Sequence, residues 1–371
     1  MRGGGSEQQT LLLLRHLDRR LFAPHLYVTE ATGALMDYLP NDVPVHSYHP
    51  SNQHGGLYLP GQALRRQISD LKTILKAQDI DVIYDRTFSM SLVAGPAAKA
   101  ARIPRVSTIV SPPEFALPLL AKRYRWIKRR KLRKAYLRAH KVIAVSDQAL
   151  VSAKNYYRLP GANLTKIANP VDTARLKERT ATETVQRDAR WTFACVARMT
   201  EEKGHQDLIQ AMQLLEETWP ENLPEIHLWL IGDGPLREEL EQQAKTLNLH
   251  EVSFLGNQDN PWKFITAADA VVVPSLFEGM PNVVLESMSL KTAVVATRIG
   301  GTSELEKDKP TIWWANPGSP ESLANALIDL ATRPTEVEQR LHSATELLRE
   351  NHDLQNQIRL IEMILRDASQ K

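Results

Sequence analysis

Cysteine is nearly absent: Cys195 is the only one in the 371 residues. It sits in an apolar, strand-like run, and a lone thiol excludes both disulfides within the chain and any cysteine-rich metal site. Long apolar runs are missing too. No stretch approaches the roughly 18 residues needed to cross a bilayer, and Met1-Arg2-Gly3-Gly4-Gly5-Ser6 leads into a polar, helix-like stretch where a signal peptide would have an apolar core. A cytoplasmic location is the resulting expectation. What is present is the composition of a soluble globular protein, 43% hydrophobic and 24% charged, with a formal net charge of only +3 that is unevenly spread. The length exceeds one ordinary core and fits two domains of about 150 to 180 residues.

Short β-like runs alternate with helical runs, the pattern of parallel sheets wrapped by helices. In the first half, strands are predicted over 25–28, 43–47, 82–84, 106–109, 142–145 and 165–168, with helices over 8–20, 60–77, 91–101 and 117–137. In the second half, strands are predicted over 191–196, 226–231, 252–255, 270–273, 293–297 and 311–313, each followed by a loop and a helical pattern. Two doubly wound Rossmann-like α/β domains follow. Their boundary is expected near Asn169-Pro170-Val171-Asp172, where an apolar strand stops at a proline and a polar segment begins. The predicted domains are 1–170 and 171–350, with a terminal helix over 351–371.

Ligands of doubly wound sheets sit outside the carboxyl ends of the strands, so the loops there carry most weight. After the strand ending at Val196 come Arg198 and Lys203, two cations able to clamp a diphosphate and stabilise the charge that builds on it. Beyond the next strand, Gly232-Asp233-Gly234-Pro235 is a tight turn into a helix, and Gly256-Asn257 closes the strand after that. The fourth loop runs Phe277-Glu278-Gly279-Met280-Pro281-Asn282 into a helix that carries Glu286. Pro281 suits a first helical position, so the amides around Gly279 to Val283 should form an exposed, phosphate-attracting terminus. Glu286 would lie about 7–8 Å further along by helix rise, near a nucleoside ribose, with Glu278 at the opposite end of the ligand.

These elements resemble, in order and spacing, the signatures of the retaining GT-B glycosyltransferases of family 4. Glu278 and Glu286 match the paired glutamates of E-x7-E; Arg198, Lys203 and Gly204 match R-x-x-x-x-K-G; Gly232 and Gly234 match the G-x-G-P turn. The likeness covers the second half well and the first half loosely. It implies two Rossmann-like domains facing a central cleft, the second binding a nucleotide-diphosphate-sugar and the first facing the acceptor, with the final helix crossing back onto the first. It implies Glu278 on the donor sugar, Arg198 and Lys203 on the diphosphate, Glu286 on the ribose, Gly279, Met280, Pro281 and Asn282 at the phosphate-binding terminus, and Asn257 at the nucleobase. The implied reaction is sugar transfer to a glycan or lipid-linked acceptor with retention of configuration. The donor phosphate would take the acceptor's proton, and no cofactor or metal would take part.

In the first half, Gly4, Gly5 and Glu7 match the family's glycine-rich loop beside the donor phosphates. The strand that should precede this loop has no counterpart, and a truncated reading frame is the expected reason. Asp85, Arg86, Ser111 and Glu114, at strand ends, are acceptor-site candidates, with ordinary loop polarity the competing reading. Asp79-Ile80-Asp81 reads as punctuation before a strand, and His46, His49 and His54 lack metal-ligand spacing. Between Lys122 and Lys141, eleven of twenty residues are Lys or Arg and none is acidic. With Tyr124, Ile127, Leu132 and Ala135 as an imperfect apolar stripe and Trp126 beside it, this run suits a helix lying on anionic lipid. A nucleic-acid surface and a merely solvated helix face are the other readings, and no nucleic-acid partner is expected. A non-catalytic nucleotide-sugar-binding protein of the same fold is the alternative function, with a nucleotide-sugar epimerase as a further one.

Overall fold

The apolar runs become parallel strands and the amphipathic runs cover them. The structure, a computed structural model, describes residues 4–48, 61–120, 124–187 and 189–370. It comprises two compact units, residues 1–170 with 354–371, and residues 171–353.

The first unit opens with α1 (Gly5–His16), then β1 (Leu26–Val28), β2 (Val45–Ser47), α2 (Gln62–Ala77), β3 (Ile83–Arg86), α3 (Phe88–Ala101), β4 (Arg105–Ile109), α4 (Pro113–Leu120), α5 (Arg125–Tyr136), β5 (Lys141–Ala144), α6 (Asp147–Tyr157) and β6 (Leu164–Lys166). Its strands form two separate parallel sheets, β1-β2 and β3-β4-β5-β6. The first described element is a helix. One helix serves both sheets, because α1 carries a run of leucines on more than one face. Leu12 and Leu13 pack with Val106 and Ile143 of the larger sheet, while Leu11 and Leu14 pack with Leu26 and Val43 beside the smaller one.

A single helix over 117–137 is not what forms. Tyr124 has φ 58° and ψ 32°, a left-handed conformation that a continuous right-handed helix excludes, so α4 and α5 are distinct. The expected apolar stripe also divides. Leu132, Ala135 and Tyr136 face the core, whereas Tyr124 is 65% exposed.

The second unit contains α7 (Thr173–Thr182), β7 (Trp191–Val196), α8 (His205–Thr218), β8 (Ile226–Ile231), α9 (Arg237–Thr246), β9 (Val252–Gly256), α10 (Trp262–Ala267), β10 (Ala270–Val273), α11 (Asn282–Ser289), β11 (Ala293–Thr297), β12 (Trp313–Ala315), α12 (Pro320–Thr332) and α13 (Pro334–Asn351). All six strands are parallel, in the order β12-β11-β10-β7-β8-β9. The chain thus builds outward from β7 on one side, then returns to β10 and builds outward on the other. Such a reversal leaves a crevice at the carboxyl ends of β7 and β10. The last helix, α14 (Leu354–Ser369), packs Ile358, Ile361 and Leu365 against the core of the first unit. Among the described residues, no helix is long and apolar enough to cross a membrane.

Candidate functional site

The loops after β7 and β10 meet at the reversal point of the second sheet. The β7 loop turns through a short 3-10 segment, Glu201–Lys203, and ends at Gly204 with φ 66°. Any side chain there would place its Cβ 2.1 Å from the carbonyl oxygen of Pro274 in the other loop. Leu276 N–H donates to Glu202 O at 2.8 Å, so backbone contacts lock the loops together. This apposition pairs two of the sequence-predicted site residues: Lys203 Nζ forms an ion pair with Glu278 Oε1, their side chains 23% and 14% exposed. Ser275 Oγ donates to the same carboxylate oxygen at 3.1 Å. Thr297 Oγ1, at the end of β11, donates to Ser275 O at 2.5 Å and fixes the serine's backbone. Ser275 lies three positions before Glu278 in the same loop, whereas Thr297 enters only through β11, the strand neighbour of β10.

Arg198 also stands at this edge, 70% exposed, with its guanidinium 3.8 Å from Glu202. The glycine turn packs tightly on the neighbouring β7 loop. A Cβ on Gly232, whose φ is 135°, would lie 2.1 Å from Ala197 O, and one on Gly234 would lie 2.4 Å from Met199 O. These glycines let the β8 loop press directly on the backbone that carries Arg198, and Met199 N donates to Asp233 O at 2.9 Å. Gly232 N donates in turn to Gly256 O at 2.8 Å, which brings exposed Asn257 beside the same turn.

The terminus of α11 needs a correction. Pro281 is its N-cap, φ −74° and ψ 116°, and Asn282 is the first helical residue. Gly279, Met280 and Pro281 are buried, so the terminus keeps its surface only at half-buried Asn282 and Val283. The loop is drawn inward because Met280 is an apolar side chain with core to fill. Glu286, one and a half turns on, is half-buried as a residue, and desolvation raises its carboxyl above the ordinary range. The Trp262 indole and the Arg175 guanidinium oppose that shift, and Arg175 Cζ lies 5.6 Å from the centre of the Trp262 ring. His205, two positions after Lys203, is buried, and neither ring nitrogen has a hydrogen-bond partner among the described residues. Burial first, and the Lys203 charge second, depress its pKa to about 4.

In the first unit, Gly4 and Gly5 form the exposed start of α1, where Gly4 N–H donates to Glu7 Oε2 at 2.9 Å in a capping box. Asp85 is not open to an acceptor. It is buried, ion-paired with Arg105 at 2.5 Å, and accepts from Ser91 at 2.6 Å and Ser107 at 2.8 Å. Its polarity is spent on a buried network. Arg86 donates to Tyr84 Oη and to Asn169 Oδ1, both at 3.1 Å; Ser111 is half-buried and Glu114 exposed. Asp79 and Asp81 are exposed in the turn before β3. His46 of β2 stacks on His25, with Nδ1 of His25 3.0 Å from its Nε2, while His49 and His54 lie outside the described residues. No group of three metal-ligating side chains occurs among the described residues.

Comparisons with known proteins bear on both units. Residues 177–347 match the family described as Glycosyl transferases group 1, and residues 3–175 match Glycosyltransferase Family 4. The lipopolysaccharide core biosynthesis glycosyltransferase LpsD of Rhizobium meliloti is 33% identical over 155 residues, 42% of this chain and 43% of that protein. Other curated relatives of similar identity are matched over only 26% to 37% of their length. The UDP-Gal:alpha-D-GlcNAc-diphosphoundecaprenol alpha-1,3-galactosyltransferase of Escherichia coli is 23% identical over 325 residues, 81% of this chain and 78% of that one. Among solved structures, Anabaena HepE in complex with UDP and glucose superposes with a TM-score of 0.78 at 21% identity, covering 99% of this chain and 98% of HepE.

Proposed function

The chain belongs to the group 1, family 4 glycosyltransferases and has their GT-B fold, and from that premise we propose that it transfers a sugar, with retention, from a nucleotide-diphosphate donor to a glycan or lipid-linked acceptor. The observation that carries this reading is the Lys203–Glu278 pair, set by two neighbouring strands at the sheet's reversal point. An ammonium there meets the diphosphate, and a carboxylate beside it meets sugar hydroxyls. HepE binds UDP and glucose, and the Escherichia coli relative acts on a diphosphoundecaprenol-linked sugar. A uridine-diphosphate sugar and a lipid-linked acceptor at the cytosolic membrane face are therefore the proposed substrates.

In the reaction, the bond between the anomeric carbon and the diphosphate oxygen breaks, and negative charge gathers on the diphosphate. Lys203, Arg198 and the amides at Asn282 and Val283 stabilise that charge. Each such donor is worth about 10²–10³ in rate where it is preorganised. The acceptor hydroxyl attacks on the face the diphosphate leaves, and its proton passes to the departing phosphate oxygen. Glu278 holds the sugar and Glu286 the ribose, so neither acts as the acid or nucleophile of a glycosidase. With cations of the chain on the diphosphate, the reaction is proposed to need no metal or cofactor.

A thermal-shift screen with UDP-, GDP-, ADP- and CMP-sugars tests the reading. A donor at about 100 times its Kd adds about 2.7 kcal/mol of stability, and that gain should vanish in Lys203→Ala and Arg198→Ala. Absence of stabilisation by every nucleotide sugar would overturn it, whereas binding without turnover on any acceptor would leave a non-catalytic nucleotide-sugar-binding protein.

A further inference from the structure

The basic run resolves into cations with structural work and cations without it. Helix α5 is anchored on one side only. Leu132, Ala135 and Tyr136 are buried, Ala135 packs so closely on α3 that a Cβ on Gly95 would lie 2.7 Å from its own Cβ, and Arg105 donates to Ala135 O at 2.7 Å. That fixes which face points outward.

Two of the arginines belong to the scaffold. Arg129 donates to Tyr156 O at 3.0 and 2.6 Å and lies over the Tyr156 ring at 4.5 Å, while Arg133 donates to Tyr157 O at 2.9 Å. Both satisfy carbonyls at the end of α6, a favourable place for positive charge. The outward stripe is different. Trp126, Arg130 and Lys134 follow one another at four-residue spacing with Lys131 alongside, all exposed, and the three cations have no acidic partner among the described residues. Trp126 is 69% exposed, and Tyr124, Phe115 and Leu119 add exposed apolar surface on α5's cap and on α4, which packs against it.

We infer that this outward stripe of α5 is a docking surface for an anionic lipid bilayer, with Arg130, Lys131 and Lys134 on lipid phosphates and Trp126 seated at the headgroup boundary. Charge complementarity selects the occupant, since α5 holds seven basic residues and no acidic one. The indole selects the depth, because an exposed tryptophan with an apolar body and a polar N–H is stable at a membrane–water interface. The surface lies wholly within the first unit and the inference stands apart from the donor site.

Co-sedimentation with vesicles of equal phosphatidylglycerol and phosphatidylcholine tests it, beside vesicles of phosphatidylcholine alone. Wild type should bind the anionic vesicles only, and Arg130→Glu/Lys131→Glu/Lys134→Glu should lower partitioning by at least about a hundredfold. Circular dichroism and UDP-sugar titration on the same variant separate a docking loss from a folding or donor-site loss. Trp126 is the sole tryptophan of the first unit, so lipids brominated in their acyl chains should quench part of the wild-type emission and none of that part in Trp126→Phe. Unchanged sedimentation of the triple variant, equal quenching in Trp126→Phe, or salt-dependent duplex nucleic-acid binding in place of vesicle binding would each overturn the inference.

Discussion

Lys203 and Glu278 form an ion pair across two loops, although 75 positions separate them in the chain. On the proposed donor binding, a diphosphate would compete with Glu278 for the lysine. This gives the two variants opposite signs. Lys203→Ala should weaken UDP binding, whereas Glu278→Gln, which frees the ammonium, should bind UDP at least as tightly as wild type. Both should lower sugar transfer by about 10²–10³. Calorimetric titration with UDP, beside transfer rates, reads the difference; a Glu278→Gln protein with weakened UDP affinity would show that the pair positions the loop and does not compete.

Ser275 holds the Glu278 carboxylate, and Thr297 holds the Ser275 carbonyl. Removing the serine hydroxyl deletes one hydrogen bond to a charged group, about 1.5–3 kcal/mol. We expect Ser275→Ala to reduce kcat by about tenfold or more while leaving UDP affinity unchanged, and Thr297→Val to do the same more weakly. A fall in UDP affinity equal to the fall in kcat would assign these residues to general loop folding.

How much of this was legible beforehand follows from the range of each determinant. The strand Ala270–Val273 reads cleanly because an unbroken aliphatic run is what a strand buried on both faces requires. The reversal of strand order could be anticipated because β-then-helix alternation permits few topologies. By contrast, the break at Tyr124 depends on one backbone conformation that tyrosine does not advertise. The buried fate of Asp85 depends on Arg105, Ser91 and Ser107 converging from other elements, and a carboxylate at a strand end looks the same in sequence whether it faces solvent or a buried cation. Gly232 and Gly234 were visible as a turn, but the backbone they accommodate was not.

Breaking that buried pair should be costly. Asp85→Ala leaves Arg105 charged and enclosed, an effect of about 3–5 kcal/mol. The expected result is a marked fall in the melting temperature of the first unit, with UDP affinity, a property assigned to the second unit, retained. A stable Asp85→Ala protein deficient only in transfer would return Asp85 to the acceptor site.

His205 should make the second unit acid-sensitive. Its pKa is depressed to about 4 in the folded state from an ordinary 6.5. Above pH 6.5 the imidazole is neutral in both states and contributes no pH dependence. As pH falls from 6.5 toward 4, the unfolded chain takes up a proton that the folded chain refuses, and folding is weakened throughout that window. The full effect is about 3 kcal/mol. His205→Leu fills the same buried space without a titrating group or unpaired ring nitrogens, so it should match or exceed wild-type stability at pH 7 and lose less of it at pH 4. Denaturant unfolding followed by the tryptophans of the second unit at pH 7, 5.5 and 4 measures the gap between the two proteins. A gap that does not widen as pH falls would mean that the ring finds a proton acceptor in the folded protein.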